Sequence, residues 1–514
     1  MSMLLGEIIK YCDSCEIINY KSERDDGLII RNIVNDTRKV EENSLFIASH
    51  GGNFDSHKNI EKVIEEGAAA LIVERRIDLS RVEIPVILTR SSFELTKKLA
   101  APFFAHPSRK LNLLGITGTN GKTTTSYFAR SVLAQKYSDC GLIGTIKYII
   151  GCEEVEAPNT SPEPLFFQQM LARMVDYGLK SAVMEVSSHA IKLGRIENTE
   201  FDTLIFTNLS KEHTEFHQDM NDYFKTKASL FVKMFDPRFR HYKRFPKTAI
   251  VNIDDTYGRI LANELKKISG ARVFTFSLKK NSGADMTADI IAIRMNGADF
   301  YINYKKTKIP VELKLTGVFN VYNALAAAAS GVCSGLTLYE IKAGLEYLTS
   351  VPGRFELVEA PGVNAGFSVF VDFAHTPESF INVIALAREL NPARIITVFG
   401  CGGDRSREKR PMMGYNAATA SDHTIITSDN PRGEDPMQII NDIVPGAQKS
   451  EKPFNIIADR EEAIGKAVAM AKEGDIVLVL GKGHEKYQIV GSEKKHFDDC
   501  STALKYLKEL KNSQ

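Results

Sequence analysis

Gly118-Thr119-Asn120-Gly121-Lys122-Thr123-Thr124 follows the apolar run 111–116 after one residue, Thr117, and leads into residues of helical character. Strand, glycine loop and helix in that order make a cradle for nucleotide phosphates. Glycine lets backbone N–H groups turn onto phosphate oxygens, and a helix N-terminus adds positive potential. Lys122 has the reach for the outer phosphates, and Thr123 has the hydroxyl for Mg²⁺. The general phosphate-loop pattern also asks for a glycine five places before Gly121. That place is Ile116, and Gly118 lies only three before. The competing possibility is a Gly/Thr-rich turn ahead of a helix, but Gly-Lys-Thr-Thr after a strand favours phosphate binding.

Further polar residues cluster at the ends of apolar runs. Glu185 lies near the end of run 181–186, where phosphate-loop domains commonly place an acid on Mg²⁺. An acid merely exposed at a strand end is an equal alternative. His213 and His217 stand four apart, but no glutamate directly follows His213, so the zinc-protease pattern is not met. A histidine near Mg²⁺ or phosphate fits better. Lys227, in Tyr223-Phe224-Lys225-Thr226-Lys227-Ala228, reads on its own as a solvated helix lysine.

Two glycine turns lie downstream: Gly400-Cys401-Gly402-Gly403-Asp404-Arg405 and Gly481-Lys482-Gly483-His484-Glu485. Arg405 fills the third glycine slot of the first, which is therefore no dinucleotide fingerprint. Between them comes the turn Asp429-Asn430-Pro431-Arg432. Arg405 and Arg432, each at a strand end, suit a small molecule with carboxylates that guanidinium can grip bidentately. Arginines in surface ion pairs are the plain alternative.

These residues need scaffolds. A chain of 514 residues is too long for one core and implies about three domains. The first block, to about residue 107, has strand-like runs at 28–33, 45–48, 69–73 and 85–88, with helical patterns at 60–66 and 93–104. Ala105-His106-Pro107-Ser108-Arg109 reads as a linker, because Pro107 disfavours helix in the residue before it. The second block adds strands at 181–186, 203–207, 248–252 and 273–276, an antiparallel insertion near 300–315, and a helix from about 320 through 329. The third, from about 352, alternates strands at 368–373, 394–399, 423–427, 454–458 and 475–480 with helices, a doubly wound pattern whose ligands gather at the carboxyl ends of the strands. Thr376-Pro377 and Asp435-Pro436 each put a capping residue before a proline suited to the first helical position.

Composition excludes several classes. With 65 basic and 64 acidic residues the net charge is +1, so no broad field favours nucleic acid or a membrane surface. No apolar stretch approaches membrane-spanning length, and the N-terminus carries Glu7 and no basic leader. Cys12 and Cys15 form a lone C-x-x-C with no second pair for zinc, which fits reduced thiols in a cytosolic protein.

The motifs, taken together and in order, resemble the Mur ligase family over essentially the whole chain. They are Asp36-Thr37-Arg38, the 118–124 loop, Asn159-Thr160-Ser161-Pro162, the 184–189 and 207–213 segments, and Asn320-Val321-Tyr322-Asn323. Gly353-Arg354-Phe355-Glu356, Asp372-Phe373-Ala374-His375-Thr376-Pro377, and the turns at 400–405, 429–432 and 481–485 complete the set. The resemblance implies an α/β protein of three domains. These are a UDP-substrate-binding domain (1–107), a central phosphate-loop ATPase domain (108–351) and a C-terminal Rossmann-like domain for an amino acid (352–514). Among the family's branches it points to the one that joins meso-2,6-diaminopimelate to UDP-MurNAc-L-Ala-D-Glu with ATP and Mg²⁺. A cytoplasmic monomer without nucleic-acid or membrane partners is implied.

The resemblance also assigns residues. Gly118, Thr119, Asn120, Gly121, Lys122, Thr123, Thr124, Asn323, Arg354 and Asp372 fall on ATP-contacting positions. Thr123, Glu185, His213 and Lys227 fall on the metal positions, and Lys227 is where the family carries a carbamylated lysine. CO₂ addition there requires a neutral amine, which burial or neighbouring cations could supply. Thr37, Asn159, Thr160, Ser161, Ser187 and Arg195 match the nucleotide–peptide site. Arg405, Asp429, Asn430, Pro431, Arg432, Gly481 and Glu485 match the diaminopimelate site. Thr37 stands where serine is usual, Ser161 replaces a common threonine, and Leu193 replaces a glutamine that can touch substrate. The rivals are a folylpolyglutamate synthetase, which lacks the N-terminal UDP-binding domain, a nucleotide-hydrolysing switch and a catalytically silent binder.

Overall fold

The computed structural model describes residues 2–51, 54–76, 78, 82–210, 216–239, 243 and 246–511. The chain forms two units, Met1–Phe276 with Ala329–Leu336, and Ser277–Ala328 with Thr337–Gln514.

The first unit holds two sheets. Its N-terminal sheet has five strands in the order Glu16–Ile18, Val86–Leu88, Ala68–Val73, Ser44–Ile47 and Asn32–Val34. Alternate side chains feed opposite faces, as the two-residue period of a strand requires. Leu45, Ile47, Ala70 and Ile72 enter one core, and Phe46, Ala48, Leu71 and Val73 enter the other. The expected strand at 28–33 is split. Ile29–Ile30 pairs with Met3–Leu4, and Asn32–Val34 pairs with Ser44–Phe46. One apolar run thus serves two partners. The expected helix at 93–104 is Ser92–Phe103, capped by the Ser91 hydroxyl, which accepts from Glu94 N–H. In the linker, His106 takes a left-handed conformation ahead of the 3₁₀ turn Pro107–Lys110.

The second sheet of this unit runs Glu153–Glu156, Lys147–Ile150, Gly141–Ile143, Ser181–Glu185, Asn112–Thr117, Thr203–Phe206, Thr248–Asn252 and Arg272–Ser277. From Gly141–Ile143 onward the strands are parallel, and the two edge strands turn back antiparallel. The phosphate-loop strand Asn112–Thr117 is central and wholly buried. Its apolar run continues into strands on both sides, as an all-parallel sheet covered on two faces demands.

The second unit contains an antiparallel meander, Met286–Arg294, Gly297–Tyr304 and Thr307–Leu313, which realises the expected insertion. Its main sheet orders Glu356–Leu357, Ser368–Asp372, Ile476–Leu480, Ile395–Phe399, His423–Ile426 and Phe454–Ile456, with only the first strand antiparallel. Val369, Val371, Val477 and Val479 pack under the helices Arg460–Met470 and Asp499–Lys511. Phe370, Leu478 and Leu480 face the helices Pro377–Glu389, Lys409–Ala420 and Pro436–Gln448. Helices on both faces make the doubly wound fold expected for this block. Both predicted caps form: Thr376 accepts from Ser379 N–H and Asp435 from Gln438 N–H, each before a proline.

Candidate active site

The phosphate loop sits where the first unit's strands end. Gly118 has φ 151° and Gly121 has φ 83°. A Cβ on Gly118 would lie 1.9 Å from the Thr207 hydroxyl oxygen, so only glycine fits. Gly118→Ala is expected to cost about 2 kcal/mol or more of stability from this overlap, read as a lowered melting temperature, and to weaken ATP binding in a titration. An unchanged melting temperature would contradict this packing.

The neighbouring strand end braces the loop. Thr119 N–H donates to the Asn208 carbonyl and Asn120 N–H to its Oδ1, both at 2.9 Å. Thr207 Oγ donates to the Asn120 carbonyl at 2.7 Å. Two loop N–H groups expected to face phosphate are therefore held by Asn208, a role the sequence did not reveal. From Gly121 the chain enters the helix Lys122–Tyr137, whose first turn has no side-chain cap. An uncapped helix start offers N–H groups and positive potential to an anion. Lys122 Nζ donates to the carbonyls of Gly118 (3.0 Å) and Thr119 (2.7 Å).

Glu185 ends the strand Ser181–Glu185 with no exposure at all, which removes the exposed-acid alternative. Thr123 Oγ donates to its Oε2 at 2.9 Å, Thr145 Oγ to the same oxygen at 3.0 Å, and Thr145 N–H to its Oε1 at 2.8 Å. A Cβ on Gly144 would approach that Oε1 to 2.4 Å, so Gly144 leaves room for the carboxylate. Thr145 was not foreseen, because nothing in its local sequence marks it. Carboxylate and hydroxyl together are an all-oxygen donor set, which fits a hard cation such as Mg²⁺.

Lys227 lies on the helix Met220–Met234 and is only 1% exposed, so the solvated-lysine expectation fails. Its Nζ donates to the Gly118 carbonyl at 3.0 Å and lies 4.5 Å from the centroid of the Tyr223 ring. The two lysines thus share one carbonyl oxygen. His213 lies outside the described residues. His217 is buried, with Nδ1 3.1 Å from Asp222 Oδ2, and loss of hydration lowers its pKa. Thr124 is buried in the first turn of the loop helix.

The predicted nucleotide–peptide residues cluster beside Glu185, apart from Thr37. Ser161 Oγ donates to the Glu185 carbonyl at 2.9 Å and accepts from Ser187 N–H at 3.0 Å. Thr160 Oγ lies 3.0 Å from Thr145 Oγ, and the Asn159 carbonyl accepts from Tyr148. Arg195 donates to the Ser161 carbonyl at 3.2 Å and pairs with Glu163 at 2.7 Å. Its buried Nε has no partner among the described residues, a donor fit for an anionic ligand. Thr37 opens the 3₁₀ turn Thr37–Lys39 in the N-terminal sheet region. There the Arg38 guanidinium holds the Asp36 carboxyl down to about 2.

In the second unit Asp372, Arg405, the 429–432 turn, Gly481 and Glu485 lie at or past strand carboxyl ends, whereas Arg354 precedes the strand Glu356–Leu357 and Asn323 lies on the helix Val318–Cys333. Asp372 accepts from Phe355 N–H and Ala374 N–H, each at 2.7 Å, and desolvation raises its pKa against the pull of Arg354. Arg354 lies 5.3 Å from the Phe373 ring centroid. Burial, reinforced by Arg354 and His375, draws His484 down to about 4. Asn323 Nδ2 donates to Asn320 Oδ1 at 3.0 Å.

Nearby, Arg432 is left-handed (φ 52°), and its guanidinium caps the Gly403 carbonyl at 2.8 Å. A Cβ on Gly402 would lie 2.9 Å from Arg432 Nη1 and 3.8 Å from Arg405 Cγ, so the two arginines flank one glycine. Arg405 itself is exposed and donates to the Asp404 carbonyl. Asn430 Nδ2 donates to Glu485 Oε2 at 2.8 Å. The Pro431 carbonyl would meet a Cβ on Gly403 at 1.8 Å, and Asp429 Oδ2 would meet one on Gly481 at 2.6 Å. Glycine at these turns lets the 400–405, 429–432 and 481–485 loops close together.

A phosphate loop backed by a buried acid, on the first of two α/β units, defines a nucleotide-dependent enzyme class, and comparison with known proteins narrows it. Residues 116–331 match the Mur ligase middle domain and 353–483 match the Mur ligase, glutamate ligase domain. The chain belongs to the Mur ligase family. It is 43% identical, over 92% of its length and 93% of the relative's, to the UDP-N-acetylmuramoyl-L-alanyl-D-glutamate--2,6-diaminopimelate ligase of Bacillus cereus. It is 38% identical to the Clostridium tetani protein of the same name, over 99% of this chain and all of that one. A solved ligase of that name superposes with a TM-score of 0.65 at 28% identity, covering 99% of this chain and 100% of that chain. The fold also matches the MurF ligase of Thermotoga maritima in complex with ADP, with a TM-score of 0.60 at 20% identity, over 94% of this chain and 99% of that one.

Proposed function

We propose that this chain is an ATP-dependent amide ligase that joins meso-2,6-diaminopimelate to the D-glutamate γ-carboxylate of UDP-MurNAc-L-Ala-D-Glu, a step of peptidoglycan precursor synthesis. The observation that carries the choice of acceptor is the cradle of Arg432, Asn430 and Glu485. It offers a guanidinium for a carboxylate and an acid for an ammonium within one loop cluster. Each of the three sequence blocks, 1–107, 108–351 and 352–514, takes one ligand: the UDP substrate, ATP and the amino acid. We place the enzyme in the cytoplasm as a monomer; among the described residues no helix is long and apolar enough to cross a membrane.

The chemistry follows from charge. A carboxylate is a poor electrophile and repels a triphosphate, so cationic groups must offset that repulsion during phosphoryl transfer. Lys122 and the uncapped helix start serve the phosphates. The γ-phosphoryl group passes to a carboxylate oxygen and ADP leaves. The neutral amine then attacks the acyl carbon, the C–N bond forms, the C–O bond to phosphate breaks, and the nitrogen gives up a proton. Thr123, Glu185, His213 and a carbamylated Lys227 would hold Mg²⁺, which supplies further charge neutralisation when bound.

The test is incubation with ATP, UDP-MurNAc-L-Ala-D-Glu and a panel of meso-diaminopimelate, lysine and lanthionine, with products read by mass. The expected product is the diaminopimelate conjugate. Nucleotide hydrolysis at an equal rate without an amine, and no heavier product, would refute the proposal. Diaminopimelate is lysine with a carboxylate on the distal carbon, and Arg432 is the counter-charge. Arg432→Ala is therefore expected to weaken diaminopimelate binding about thirtyfold, on the order of 2 kcal/mol, and to narrow the preference over lysine. Parental selectivity in that variant would remove Arg432 from the role.

A further inference from the structure

Lys482 carries an ammonium with no solvent exposure, two residues past the strand Ile476–Leu480. A buried lysine is costly unless paired and hydrogen-bonded. Its Nζ donates to Asn430 Oδ1 at 3.0 Å and lies 3.4 Å from Glu485 Oε2. The Tyr487 ring centroid is 5.6 Å away. Asn430 is 2% exposed, and its Oδ1 also accepts from Ile489 N–H at 3.0 Å.

An amide side chain can be reversed, and only its partners decide which end is oxygen. Here both groups facing one end of Asn430 are donors, so that end is oxygen. The NH₂ end is thereby turned to Glu485 Oε2 at 2.8 Å. Lys482 and the Ile489 N–H together select the orientation of Asn430, and Lys482 places a positive charge beside the Glu485 carboxylate. Asp429, 9% exposed, adds a second acid next to Asn430, its Oδ1 accepting from Asn430 N–H at 2.7 Å. Arg432 lies in the same loop cluster and the buried Arg460, paired with Asp499, interacts with both acids, so Glu485 meets an incoming ammonium as a hydrogen-bond acceptor in a charge-balanced cluster.

We infer that Lys482 is a positioning residue for the acceptor amino acid: it locks the Asn430 amide and holds Glu485 toward the acceptor's ammonium group. The inference rests on the ligase reading above. Lys482 touches no reacting atom; it acts through Asn430 and Glu485.

The experiment measures steady-state constants for all three substrates in the full-length parent, Lys482→Met, Lys482→Gln, Asn430→Ala and the Lys482→Met/Asn430→Ala pair. Methionine keeps the length and removes charge and donor; glutamine restores a donor for Asn430. Lys482→Met should raise KM for meso-diaminopimelate at least tenfold, with KM for ATP and for UDP-MurNAc-L-Ala-D-Glu within twofold of the parent. Lys482→Gln should recover part of that loss. The double variant should lose little beyond Asn430→Ala, since interacting residues are non-additive.

An unchanged KM for the diamino acid in Lys482→Met would overturn the inference. So would a parallel rise in all three constants, which marks a residue that only holds its domain together. Fully additive losses in the double variant would equally remove Asn430 as the intermediary. Should Lys482→Met fold poorly by thermal melting, Lys482→Gln against Asn430→Ala carries the same comparison. A parent that makes no diaminopimelate conjugate would instead sink the ligase reading, and that outcome is separable because it appears before any variant is made.

Discussion

Lys122→Ala should lose ligation almost entirely, with turnover down about a thousandfold or more, on the order of 4 kcal/mol. Its ammonium is held over the loop by the carbonyls of Gly118 and Thr119, at the start of a helix whose first turn lacks a side-chain cap. Removing it takes away the cation proposed to offset charge on the transferring phosphoryl group. Ser161, Ser187 and Arg195, the residues proposed for the nucleotide–peptide substrate, bond to one another and to the Glu185 backbone, with no dependence on Lys122. Binding of UDP-MurNAc-L-Ala-D-Glu, followed by calorimetry, should therefore stay within a few-fold of the parent. Near-normal turnover in Lys122→Ala would end the phosphate-cradle assignment.

The second large effect concerns Lys227. Two lysine Nζ atoms donate to the Gly118 carbonyl oxygen, each at 3.0 Å. Lys227 is also 1% exposed, with a second cation, Lys122, on the same carbonyl. A neutral amine adds CO₂, and the product is a carboxylate-like group that exchanges repulsion of Lys122 for attraction. Lys227→Ala is expected to lower kcat on the order of a hundredfold. Parent enzyme kept free of CO₂ should lose activity and regain it on addition of bicarbonate, while Lys227→Ala should respond to neither. Parent activity indifferent to CO₂ would exclude the carbamate.

Much of this site was legible because it is local. The 118–124 loop, the acid at the end of the 181–185 strand and the 429–432 turn each lie within one short segment beside a buried strand. Lys227 in isolation reads as a solvated lysine, although its helix carries a signal to the contrary. Tyr223, Phe224, Ala228, Phe231 and Met234 form the buried face of its helix, and position 227 falls among them by helical spacing. Thr145, Asn208 and Lys482 were not legible. Their partners are Glu185, the phosphate loop and Asn430, respectively 40, 88 and 52 residues away in the chain. Such pairings are made by sheet order, which local pattern does not encode. The splitting of run 28–33 has the same cause: its length suggested one strand, and the availability of two edges made it two.

Asn208 gives the loop an asymmetry with a practical outcome. Because it captures the N–H groups of Thr119 and Asn120 together, the leading part of the cradle is a fixed jaw, and on the proposed reading phosphate recognition falls to the part from Gly121 onward. A fixed jaw cannot measure the length of a polyphosphate tail. On the proposed reading, telling a triphosphate from a diphosphate then falls to the side chains around Lys122 and Thr123, so a nucleotide analogue with a shifted terminal phosphate should be sensed there before any backbone atom moves.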